Sequence, residues 1–95
     1  MMMMEVPEGA TEATRGYIDA MNRMSMAMGA DFTGDADRDF IIGMIAHHQG
    51  AVDAAKVVLA HGVDPDVRAF AAQVIAAQEP EIAWMQDWLA KHAAD

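Results

Sequence analysis

The chain is 95 residues long and carries six Lys+Arg against fifteen Asp+Glu, a formal charge of −9 with histidines neutral. That length holds one small domain burying roughly 60 to 65% of its unfolded surface, which excludes a large multidomain enzyme. The scattered cations offer no basic stripe to nucleic acid or an anionic membrane, and no apolar run reaches the ~18 residues of a membrane span. With no cysteine, disulfides, thiolate metal sites, iron–sulfur clusters and cysteine nucleophiles are excluded together.

Met1 to Met4 are followed by Glu5, Pro7 and Glu8, not by the apolar segment of a signal peptide. Residues 1–7 are read as a disordered Met-rich segment and 8–95 as the single domain. Helix one is expected from about Glu8 to Met28, with Tyr17, Met21, Met24 and Met28 spaced 4, 3, 4 along one stripe. Pro7 suits its first turn and Gly29 its C-terminal cap. The segment Asp31 to Asp35 is turn-rich, and Asp35 is the expected N-cap of helix two, with Asp37 and Asp39 favourable at the positive helix end.

Helix two has the clearest pattern. Ile41, Ile45, His48, Val52, Ala55 and Leu59 form one row, and Phe40, Met44, His47, Ala51, Ala54 and Val58 flank it. Gly43, His47, Gly50 and Ala54 form a third row with a low surface, open to close approach by a neighbouring backbone. Gly62 ends the helix. Asp64-Pro65 restarts the chain as N-cap and first helical residue. Helix three points Val67, Phe70, Ala71, Val74, Gln78, Ile82, Met85, Trp88, Leu89 and His92 inward. Pro80 predicts a kink, or a break recapped by Glu79. The fold class is all-α: a small antiparallel bundle of three long helices with short connections.

Met44, His47 and His48 lean onto one patch of helix two, and two imidazoles with a thioether suit copper or silver rather than magnesium or calcium. The bland reading makes His48 a satisfied core histidine and Met44 ordinary packing. Tight connections would place residues equidistant from each turn at one height. Pairing Met28 with Asp35 brings Met21 and Met24 near Met44, and pairing His61 with Pro65 sets Met85 beside Ile41 and Gln78 beside His48. Met21, Met24, Met44 and Met85 are thus expected to cluster, and Gln78 to hydrogen-bond with His48 directly or through one water. Asp35, Asp37 and Asp39 lack the glycine and closing glutamate of a calcium loop, and no histidine follows a Glu by three residues as in a bundle di-iron site. Nucleophile motifs are absent as well. His61 and His92 suit helix C-termini.

From Asp39-Phe40 through Met44-Ile45-Ala46-His47-His48-Gln49-Gly50-Ala51-Val52-Asp53, and on through Leu59, Gly62, Asp64-Pro65, Arg68, Ala71, Gln78 and Glu81-Ile82-x-x-Met85-x-x-Trp88-Leu89, the sequence resembles the bacterial domain of unknown function 305. The resemblance covers about Asp35 to Leu89. It implies a ferritin-like helical bundle, exported from the cytoplasm with its leader removed, and copper binding of the kind described for some members. It implies ligands at Met44, His47, His48 and Met85, with Met21 and Met24 auxiliary. The chain departs from the pattern at Ala54 and Ser25, where many members carry methionine and histidine.

The expected function is binding of a soft metal, Cu(I) above all, in buffering or tolerance rather than catalysis. The alternative is a metal-free interaction module with a structural His-His-Gln network, its apolar surplus serving dimerisation. A homo-oligomer is expected on either reading.

Overall fold

Each helix begins where a short polar side chain satisfies the free N–H groups of a first turn. The computed structural model describes residues 3–29 and 32–92. Its helices are α1 (Glu12–Met28), α2 (Ala36–His61) and α3 (Pro65–Lys91). Thr11 accepts from the Thr14 amide, Asp35 from those of Asp37 and Arg38, and Asp64 from those of Asp66 and Val67. The expected caps Asp35, Asp64, Gly29 and Gly62 all stand where the sequence puts them.

Helix α1 starts four residues later than its periodicity suggests. The Pro7 carbonyl accepts from Ala10 in a turn instead, and Gly9 at φ 80 takes a left-handed conformation that interrupts a right-handed helix. The chain before that turn lies along α1, where Asn22 pairs with both the N–H and the carbonyl of Met4. Met1 and Met2 of the Met-rich segment, like Ala30 and Asp31 of the first connection and the last three residues of the domain, lie outside the described residues.

Of the kink or break expected at Pro80, the break is absent: α3 continues through it to Lys91. The proline denies Ala76 its usual donor, but Ala76 and Pro80 are both exposed, so water can serve the carbonyl and burial along the inner side holds the helix together.

Helix α2 is the middle of the layer. Both neighbours pack on it, whereas α1 and α3 do not pack on each other among the described residues. The molecule spans 47 × 30 × 15 Å, and the shortest dimension is close to the ~10–12 Å diameter of one helix with its side chains. The three helices therefore form a single layer. At 100° per residue, the α1-facing positions Gly50, Asp53 and Val57 and the α3-facing positions Ile41, His48 and Val52 lie on nearly opposite sides of α2. Two broad sides remain, one carrying His47, Ala51 and Ala54, the other Gln49, Lys56 and Ala60.

The seam with α3 is the core. Ile41, Val52, Ile82 and Met85 are buried together, with Met44, Ile45, Ile75, Trp88 and Leu89 against them. Arg68 caps the near end by donating to the Leu59 and Gly62 carbonyls, and Arg38 donates to the His92 carbonyl at the far end. The seam with α1 is thinner. A Cβ at Gly16 would meet Val57, and one at Gly50 would lie 2.7 Å from the Met24 sulfur; Arg23 and Asp53 add an ion pair at 3.2 Å. Beyond α1, the Thr33 amide and hydroxyl and the Gly34 amide donate to Asp39. These donors, the Thr33 amide foremost, hold the Asp39 carboxyl below the usual range. Its anchor is therefore present above the ordinary carboxylate range and lost as pH falls through the lowered value.

Candidate metal centre

Two pairs of side chains one helical turn apart define the site. Met44 and His48 stand on α2, Glu81 and Met85 on α3, and antiparallel packing puts Met44 level with Met85 and His48 level with Glu81. All four line a cleft of about 260 Å³, closed at its sides by Phe40, Ile41 and Trp84. Met85 is 5% and His48 9% exposed, while Met44 is half-buried.

His48 Nε2 lies 2.6 Å from Glu81 Oε1. A carboxylate can only accept, so with the imidazole neutral Nε2 holds the proton and Nδ1 keeps the lone pair. A carboxylate that fixes the tautomer and ring orientation of a histidine is a common partner of metal-binding imidazoles. Two thioethers and an oriented imidazole form a soft to intermediate donor set in apolar walls. Among the described residues, no group of three or more His, Asp or Glu converges to hold a metal by harder donors.

The other expected ligands are elsewhere. His47 is exposed, turned 100° from His48 toward a broad side. Met21 and Met24 are half-buried on α1, with the Met24 sulfur over Gly50. The four methionines therefore do not form one cluster, because α1 packs on the side of α2 away from α3. Register adds to the separation: Met24 sits beside Gly50, not Phe40. The connection from Met28 to Ala36 is longer than the tight turn on which the level arithmetic depends.

Gln78 also departs from expectation. The partner of His48 is Glu81, one turn further along α3, and the Gln78 Oε1 is buried with no hydrogen-bond partner among the described residues. The expected sign of a substitution thus reverses. Gln78→Leu removes an unsatisfied acceptor instead of breaking a bond, and chemical denaturation should show it more stable by about 1 kcal/mol.

Glu81, Phe40 and Trp84 escaped the sequence reading as site residues. Glu81 was within its reach, standing four residues before Met85 and therefore on the same ridge of the helix. The remaining histidines serve helix ends: His61 closes α2, and His92 bonds through Nδ1 to the Trp88 carbonyl at 2.7 Å while its ring stacks on Trp88 at 4.2 Å.

Among the described residues, no helix is long and apolar enough to cross a membrane. A family model described as Domain of unknown function (DUF305) matches residues 1–89. No curated protein gives a match.

Proposed function

The chain belongs to the DUF305 family, and we propose that its cleft between α2 and α3 binds a soft monovalent metal, Cu(I) in the first place and Ag(I) as its surrogate. The single observation that carries this reading is the placement of Met44, Met85 and His48 around one cleft, with Glu81 orienting the imidazole. Thioethers discriminate by softness, so Zn(II) should bind less well. The proposed role is buffering or tolerance of copper outside the cytoplasm, not catalysis, since thioethers are neither proton carriers nor activated nucleophiles.

A second reading has its own support. The His48–Glu81 pair is satisfied without a metal, as a purely structural network would be, and the protein would then act through its surface alone. Titration of the full chain with Ag(I), followed by the methyl resonances of its methionines, separates the two. On the metal reading the Met44 and Met85 methyl signals shift and those of exposed Met26 do not, and saturation at 100 times Kd stabilises the fold by roughly 2.7 kcal/mol. Binding weaker than about 0.1 mM, some 5 kcal/mol of free energy, would leave the structural reading standing.

A further inference from the structure

We propose that two copies of the chain pair face to face through the broad side of the helix layer that carries His47, forming a two-fold symmetric dimer. The inference is independent of the metal reading. It starts from the sidedness of the layer. Arg23, Asp53 and Lys56 line the opposite side, together with Ala60, whereas Phe40 and Trp84 share the cleft on the His47 side. Helical periodicity adds Phe70 from α3 and the Tyr17 to Met28 stripe from α1 to that side.

Four properties of this face point to a second copy. Its aromatic groups are uncovered, with Phe70 65% and Trp84 61% exposed, and large apolar side chains exposed together on one side of a molecule mark interaction surfaces. A layer extending 47 × 30 Å exceeds the roughly 800 Å² per partner that a stable complex buries. Charge is sparse there: Glu81, engaged by His48, and Asp37, beside Phe40 and Trp88, are the charged side chains lining its clefts among the described residues, so most of the net charge of −9 is carried elsewhere and repulsion between copies is least through this face. Finally, among the described residues nothing lies within 4 Å of a Cβ built at Gly43. Glycine is a poor helix former, and no close contact with a described residue explains it there, whereas a partner helix lying across Gly43, His47 and Ala51 would use the low surface.

Because α2 is the middle helix, a two-fold axis at the centre of the face passes near His47 and Ala51. Each copy then presents the same patch to the other, so the interface closes at two subunits. The six helices make two layers around one shared core, and pairing covers both clefts.

Sedimentation velocity of the full chain tests the proposal. The expected species has twice the chain mass of 10.3 kDa. His47→Glu and Phe70→Glu, each altering an exposed side chain, should return it to the chain mass with the helical far-UV spectrum retained. Ala60→Glu adds the same charge to the opposite side and should leave the dimer intact. The proposal is overturned if the unaltered chain sediments at 10.3 kDa at every concentration, or if Ala60→Glu dissociates it while the other two do not. A monomer that partitions onto phosphatidylcholine vesicles overturns it too, and assigns the face to lipid.

Discussion

Leucine at both Met44 and Met85 is expected to lower Ag(I) affinity by at least the roughly 100-fold that changes outside a metal's ligand shell can reach. The fold should tolerate the exchange, because each swap nearly conserves volume and costs under about 1.5 kcal/mol. Loss of binding would then come from lost donors and not from lost structure. Glu81→Gln should act more mildly, reducing affinity by roughly 10- to 100-fold, because it weakens the hydrogen bond that orients His48 without removing a ligand. The pH profile separates the roles. Protonation takes an imidazole out of the ligand set while thioethers remain donors, so binding to the unaltered chain weakens in acid. His48→Ala should bind more weakly at neutral pH and show a flatter profile. Isothermal titration across pH checks all three variants; unchanged affinity in the double leucine variant would remove the cleft from consideration.

Ile82→Ala should give the largest loss of stability. Ile82 is 7% exposed and packs in the cluster with Val52, itself 1% exposed. Truncating such a residue costs about 2 to 5 kcal/mol, because the transfer energy and the cavity add. In a domain this small each kcal/mol lowers the melting temperature by roughly 4 to 8 °C, so calorimetry should record a fall of about 8 °C or more. Ala83→Gly, next in sequence but exposed on the outer side, tests the attribution. It carries only the backbone cost of about 1 kcal/mol, and an equal loss there would mean that helix propensity, not the shared core, holds α3 in place.

The sequence made the helices legible because their signals are local. Asp35 and Asp64 announce helix starts by capping chemistry, and the rows through Ile41, Val52, Ile82 and Met85 announce inward faces by period. The α2–α3 register was also legible to within a turn, because only Gly62, Val63 and Asp64 join the two helices and a short link leaves little freedom. That turn of uncertainty put Gln78 in the place of Glu81, and so gave the histidine a neutral partner instead of a carboxylate. The position of α1 was not legible. A connection of seven residues fixes no register, and which side of α2 receives α1 is decided by shapes such as the groove at Gly50 that Met24 fills, which periodicity does not contain. Two of the six expected ligands, Met21 and Met24, stand with it away from the cleft, and His47 does so by its turn toward the broad side of α2.

The attachment of α1 along one seam has a kinetic consequence. A helix held by buried Ile18 and Ala20, Met24 over Gly50, Val57 beside Gly16 and one ion pair, and packed against α2 but not α3 among the described residues, can open as a unit while the α2–α3 hairpin stays closed, giving the chain two tiers of local stability. Amide protons of α1 would then exchange with solvent through this partial opening, and those near Val52 only through global unfolding. Since every group lining the cleft belongs to the slower tier, excursions of α1 in a single copy would leave a bound ion undisturbed, and its release would be timed by the parting of the two copies and by motions of α2 against α3.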